Sequence, residues 1–172
     1  MSLISNLYLT HGVMLLCSLA AVVLSVSEGR GRVMAAWKVP VVAGLAAVSA
    51  LTLIAYPTWG ELKNPSLWAF AIVAAVAGAG RGYWMQLDVD HGWHLIRLTR
   101  ALDGLVVAAA LCALVLVEIV VATLAPADQP TVELGLGVLA FYLVGRAGAV
   151  VWRARQEPQT DLKDRPPPPT HD

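Results

Sequence analysis

Long runs of apolar residues alternate with short polar stretches along the chain. The second and third runs contain no charged residue over 39–60 and 64–80, and the fourth and fifth hold one each, Glu118 and Arg146. A helix that crosses a bilayer needs about 20 mostly apolar residues. The pattern therefore predicts five transmembrane helices, at about 5–27, 39–58, 65–84, 104–126 and 132–152.

The composition supports this interpretation. Of 172 residues, 58% are hydrophobic and 14% are charged, against roughly 45–50% and about 25% in soluble domains. We expect an all-α membrane protein with one transmembrane domain, 1–156, and a disordered proline-rich tail, 157–172, that has few apolar residues to bury. The first run lacks a basic segment before it and a cleavage site after it, so it is expected to be retained. A net charge of zero predicts no nucleic-acid partner.

Basic residues predict the orientation of the helices. The loops after the second and fourth spans carry only Lys63. Apart from Arg146 inside the fifth span, the other basic residues lie in the loops after the first and third spans and after the fifth. Positively charged loops are retained in the cytoplasm, which predicts an outer N-terminus and an inner C-terminus. The bias towards Arg, Ala, Val and Gly is typical of a high-GC bacterium and indicates its inner membrane.

Small residues recur at helical spacing within the predicted spans. Ala74, Gly78 and Gly82 form one such series in the third span, and Gly145 and Ala149 form another in the fifth. Helices in lipid associate through close packing at small residues. These faces predict either a compact bundle or an interface with a partner.

Three polar residues inside the spans are candidates for function, because a charge near the bilayer centre costs on the order of 2.5–3.5 kcal/mol. His11 and Glu118 lie at similar depths in antiparallel helices, which permits a hydrogen bond or ion pair. The alternative is a protonated Glu118, or one bonded to Thr10 or Thr52. Arg146, roughly 9 Å from the inner end of its helix, could extend to lipid phosphates or contact a quinone or haem propionate. About 12 Å of depth separates Arg146 from Glu118, so no pair is expected.

The most polar stretch, "MQLDVDHGWHLIRLTR" at 85–100, alternates with a period of two on either side of His91 and Gly92. It predicts a cytoplasmic β-hairpin between the third and fourth helices, with a two-residue turn; an amphipathic helix is the alternative. The hairpin would lie against the membrane surface or cap the bundle. Its apolar face would include His94, and its polar face, towards water or a partner, would include Asp88, Asp90 and Arg97.

A metal site would use Asp88, Asp90, His91 and His94. On a hairpin these ligands do not converge, and the spacing matches no metal signature, so no metal is predicted. Charged residues also flank the hairpin. Asp103 is expected to cap the fourth helix, and Arg81 and Arg100 to reach lipid phosphates or Asp103.

The whole pattern resembles the CcdC-like small bacterial membrane proteins. The shared features are a basic loop after the first span, a glycine-rich third span ending in Arg81-Gly82, a hairpin with a glycine turn, and a basic pair, Arg153 and Arg155, after the fifth span. The resemblance covers most of the chain as a pattern. It implies a link to cytochrome c maturation and no defined activity, and the chain lacks an exposed cysteine for thiol chemistry.

No catalytic residues are predicted, because no nucleophile or paired-carboxylate motif is present. Cys17 and Cys112 lie inside spans and are interpreted as small apolar residues. We expect an accessory or assembly subunit of a larger membrane complex, for example a respiratory one. It would contact lipid, other membrane subunits or a second copy of itself. The alternatives are a small transporter or proton conductor using His11, Glu118 and Arg146, and a haem- or quinone-binding subunit.

Overall fold

The computed structural model describes residues 2–54, 65–98, 102–124, 129–160 and 162. This part of the chain is mostly helical. Its five helices are α1 (Ser2–Gly29), α2 (Lys38–Ile54), α3 (Pro65–Trp84), α4 (Leu102–Leu124) and α5 (Gln129–Ala154). Its three strands are β1 (Met34–Ala35), β2 (Leu87–Asp90) and β3 (Leu95–Leu98).

Each predicted span corresponds to one helix, with bounds that differ by a few residues. Three helices are long and apolar enough to cross a membrane within the described residues: Thr10–Gly29, Leu102–Val121 and Thr131–Ala154. The apolar stretch described in α2, Lys38–Thr52, is shorter. Residues 55–58 and 125–126, which end the second and fourth predicted spans, lie outside the described residues.

The helices form a four-membered bundle with one peripheral helix. In the bundle α1 packs on α2 and α4, and α5 packs on the same two helices. The core between them contains Met14, Leu111, Val115, Leu136 and Leu143. The fifth helix, α3, packs mainly on α5 and so lies outside the bundle.

Glycines hold α3 unusually close to α5. A methyl group at Gly78 would overlap the carbonyl of Tyr142, and one at Gly145 would overlap the carbonyl of Ala75. At Gly82 it would come within 2.6 Å of the Arg146 carbonyl oxygen. The small-residue faces predicted from the sequence therefore face each other, and they form a contact within the chain.

The three strands form an antiparallel sheet in the order β1–β3–β2. The predicted hairpin is confirmed, but its two-residue turn is wrong. Asp90 pairs with Leu95, so the turn contains four residues, from His91 to His94. The register differs from the predicted one by two residues. Because side chains alternate with a period of two, the strand residues keep their predicted faces.

The apolar face of the sheet caps one end of the helix bundle. It buries Leu87, Val89, Ile96 and Leu98 against α2 and α5. The helix side of this cluster is formed by Val39, Ala43, Ala147 and Val150. Of the two placements predicted for the hairpin, the structure has the one that caps the bundle.

The sheet brings three distant segments to the same end of the bundle. β1 follows α1, β2 and β3 join α3 to α4, and the chain after α5 bridges to β2 through Gln159 beside Val89. The C-terminal ends of α1, α3 and α5 therefore lie together. Among the described residues, Arg30, Arg32, Arg81, Arg97, Arg153 and Arg155 belong to the segments that meet at this end.

The tail predicted to be disordered, 157–172, is ordered in its first part. Thr160 donates its backbone N–H to the carbonyl of Val89 at 2.7 Å, and Leu162 is buried. Arg153 donates to the carbonyl of Tyr83 at 2.7 Å and pairs with Glu157 at 2.5 Å. The structured part thus extends past residue 157, and residues 163–172 lie outside the described residues.

Candidate functional site

Four charged side chains from four helices meet at the sheet end of the bundle. Arg146 of α5 is central: its Nη2 donates to Oε1 of Glu28 in α1, and its Nε donates to Oδ2 of Asp103 in α4 at 3.0 Å. The same Asp103 oxygen accepts from Nε of Arg81 in α3 at 3.3 Å. We call these four residues the arginine network. Its two carboxylates balance its two guanidinium groups.

Neighbouring residues leave space for this network. A methyl group at Gly104 would lie 2.8 Å from Oε1 of Glu28 and 3.1 Å from Nη1 of Arg146. Glycine at this position therefore allows α4 to approach the ion pair. Sδ of Met85 lies 3.4 Å from Nη2 of Arg146 and covers the guanidinium from the sheet side. A buried ion pair needs such close geometry, because desolvation of both charges opposes their attraction.

The expectation that Arg146 extends to lipid phosphates is wrong. Its side chain is 3% exposed and is held by carboxylates inside the protein. Asp103, which Arg146 contacts, lies about 22 Å along α4 from Glu118 at 1.5 Å per residue. The Arg146 guanidinium therefore lies at the end of α4 that is remote from Glu118. Glu118 is fully buried and His11 is half-buried, and a contact between these two stays a prediction.

Glu28 is the functional candidate that sequence reasoning missed. The first span was expected to end at residue 27, which placed Glu28 in a loop, whereas α1 continues to Gly29. Its partner Arg146 is 118 residues away, so no local motif links them. The available signal was weak: Glu28 directly follows the first predicted span, on the side where the basic loops were expected.

The residues that flank the hairpin are partly as predicted. Arg81 contacts Asp103, one of its two expected partners. Asp103 is the second residue of α4, not the cap before it, and its negative charge in the first turn is favourable for the helix dipole. Arg100 lies outside the described residues.

Two predictions for the hairpin are wrong. Asp90 was expected to face water, but it is fully buried and its Oδ1 accepts the backbone N–H of Trp93 at 3.2 Å. His94 was expected on the apolar face, but it lies exposed in the turn with a positive φ of 51°. Both differences follow from the longer turn, which removes His94 from the strand and folds the chain over Asp90. Asp88 and Arg97 lie on the predicted polar face, and the observed register places them opposite each other, with 2.6 Å between Oδ2 and Nη2.

The turn also forms one wall of a cavity of about 270 Å³. Asp90, His91 and His94 line this wall, and Trp37 and Arg155 are also among the lining residues. In the described ranges, no three His, Cys, Asp or Glu side chains are grouped to hold a metal ion. The hairpin therefore contributes a small mixed polar and apolar cavity.

Fold and site together define a mostly helical protein with three helices of membrane-spanning length, a capping sheet and a buried arginine network. Comparison with protein-family models, with curated proteins and with solved structures gives no match to this chain. The resemblance to CcdC-like proteins stays a prediction.

Proposed function

We propose that this chain is a non-catalytic, multi-pass protein of a bacterial inner membrane and an accessory or assembly subunit of a larger membrane complex. The membrane part of the proposal is supported by the long apolar helices. It is also supported by large apolar side chains exposed along them, such as Leu16, Val106 and Val120. Such surfaces are stable in lipid, and on a soluble monomer they would mark an interaction site.

The sheet end is proposed to face the cytoplasm at the level of the headgroups. Exposed aromatic side chains, of the type enriched at membrane interfaces, lie at this end: Trp37, Tyr83, Trp84, Trp93 and Trp152. Arg32 is exposed in the basic loop there. In a chain with both native cysteines replaced by alanine, Arg32→Cys should react with an impermeant maleimide only in inside-out vesicles. Reaction only in right-side-out vesicles would overturn this orientation.

The position of α3 is the observation that carries the subunit role. This helix packs mainly on α5, and its other face exposes Phe70, Ile72, Val73 and Val76. Beside it runs an open groove between α3 and α5, with Gly80 and Gly148 on its floor and tryptophans along its edges. A helix of another membrane subunit fits this surface, because helices in lipid associate where small residues permit close approach.

The groove can be filled without disturbing the bundle. A methyl group at Gly148 meets no atom within 4 Å, so Gly148→Leu should fold normally and block a partner helix. Gly44 in α2 is equally open and lies elsewhere on the surface, so Gly44→Leu is the matched control. Native mass spectrometry after purification in mild detergent should show a complex for the parent chain and for Gly44→Leu. Gly148→Leu should be monomeric.

A monomer from the parent chain would exclude this function, and a complex that survives Gly148→Leu would exclude the groove as the surface that binds the partner. A complex of two identical chains would replace the accessory-subunit proposal with self-association. The alternative roles require other results: loss of ion flux in liposomes on Glu118→Gln for a transporter, or a Soret band for a haem protein. Transport through His11, Glu118 and Arg146 is disfavoured by the distance of Arg146 from Glu118.

A further inference from the structure

The cavity beside the hairpin turn contains a buried acid that is incompletely satisfied. Oδ1 of Asp90 accepts from the Trp93 backbone and, at 3.5 Å, from Nε2 of Gln159. Oδ2 is also buried, and it has no hydrogen-bond partner within the described part of the chain. A carboxylate has about four lone-pair sites, and buried polar atoms without a partner are rare in folded proteins. Oδ2 of Asp90 can therefore accept a hydrogen bond from a donor outside the described residues, such as a bound ligand or water.

The lining of the cavity combines charged and apolar side chains. Arg155 contributes a cation, and α2 begins beside the cavity at Lys38, so the positive end of its dipole lies there. Val39, Val151 and Ala154 contribute an apolar wall next to the helices. The exposed Trp37 lies beside this wall, as expected for an aromatic at the headgroup level.

We propose that this cavity binds the headgroup of an amine-bearing phospholipid, with its primary ammonium on Asp90 and its phosphate towards Arg155. A primary ammonium has three N–H donors and a positive charge, which is the complement of a buried carboxylate oxygen. The apolar wall would receive the first part of the acyl chains. At about 270 Å³ the cavity is slightly smaller than typical ligand pockets of about 300–1,000 Å³. It suits a headgroup better than a large cofactor.

The chain after α5 completes the site. His91 Nε2 and the carbonyl oxygen of Glu157 are 2.9 Å apart, and Thr160 bonds to β2. These contacts hold the segment 155–160 against the turn, where Arg155 lines the cavity and Gln159 bonds to Asp90. The segment predicted to be disordered thus becomes part of a binding site.

Native mass spectrometry of the purified chain in lipid-free detergent tests the proposal. Short-chain phosphatidylethanolamine should bind once per chain. It should be preferred about tenfold or more over phosphatidylcholine, whose trimethylated nitrogen has no N–H donor, and over phosphatidylglycerol, which has no ammonium. Binding of free phosphoethanolamine distinguishes a lipid ligand from a soluble amine. If the chain binds it as tightly as phosphatidylethanolamine, the ligand is a soluble amine and not a lipid.

Asp90→Asn should abolish the preference for the amine. The asparagine keeps an oxygen that can accept from the Trp93 backbone, so the turn should be retained. Asp88→Asn is the matched control, because Asp88 is on the same strand but pairs with Arg97 on the polar face. If Asp90→Asn does not fold, Ala154→Leu narrows the cavity without a change of charge and should also remove binding.

Equal binding of the three phospholipids by the parent chain would overturn the proposal, as would a preference that survives Asp90→Asn. Absence of bound amine would mean that water alone satisfies Asp90. The inference rests on the membrane placement proposed above and not on a partner subunit. The experiment uses the isolated chain, so failure to bind lipid leaves the Gly148→Leu test of complex formation unaffected.

Discussion

Replacement of Arg146 by methionine should be among the most destabilising single substitutions in this protein. Methionine is unbranched and of similar length, so it fills most of the same space. It removes the guanidinium from Glu28, whose side chain is only 5% exposed, while Asp103 keeps Arg81. The loss therefore consists mainly of an uncompensated carboxylate inside the bundle.

The expected magnitude follows from this burial. Removal of one partner of a buried ion pair costs about 3–5 kcal/mol, a large fraction of a typical unfolding free energy of about 5–15 kcal/mol. The Asp88–Arg97 pair provides the comparison, because its side chains are 39% and 29% exposed. An exposed pair contributes about 0–1 kcal/mol, so Arg97→Met should change stability little.

Equilibrium unfolding in mixed micelles, followed by circular dichroism, measures both substitutions. Each 1.4 kcal/mol is a tenfold change, so Arg146→Met should raise the unfolded fraction on the order of a hundredfold or more. The double variant Glu28→Met with Arg146→Met should recover much of the loss, because no unpaired acid then remains. The reasoning fails if Arg146→Met costs no more than Arg97→Met, or if the two single losses simply add.

Further predictions concern the helix contact, the sheet and the cysteines. Gly145→Ala should separate α3 from α5 and lower the melting temperature in detergent, whereas Gly44→Ala, which meets no neighbour, should not; equal melting temperatures would contradict the close contact. Ile96→Ala, at a 1% exposed position of the sheet, should cost about 2–5 kcal/mol in the same unfolding assay. Cys17 and Cys112 lie on helices of membrane-spanning length, so neither should react with an impermeant maleimide in intact vesicles, and rapid labelling would refute this placement.

The helices and the hairpin could be predicted from sequence because their signals are local. Apolar runs of membrane-spanning length need no partner to be recognised. Period-two alternation assigned Leu87 and Ile96 to the buried face. This assignment is correct although the predicted turn length is wrong, because a register change of two residues leaves every strand side chain on its face. The alternation did not fix the length of the turn, since a two-residue turn and a four-residue turn both fit it. The strand β1 has only two residues, too few to give a pattern.

Only the tertiary structure decided which charges meet. Glu28 and Arg146 are separated by 118 residues, and their contact depends on how far α1 extends, how α5 is rotated and whether Gly104 lets α4 approach. The burial of Asp90 depends on the turn and on the chain after α5, which alone would have too few apolar residues to fold. The sequence by itself determined the approximate positions and the apolar faces of the elements and the distribution of charge along the chain, because these are properties of neighbouring residues. The pairing of the buried charges depends on how distant segments pack against each other, and no single segment carries that information.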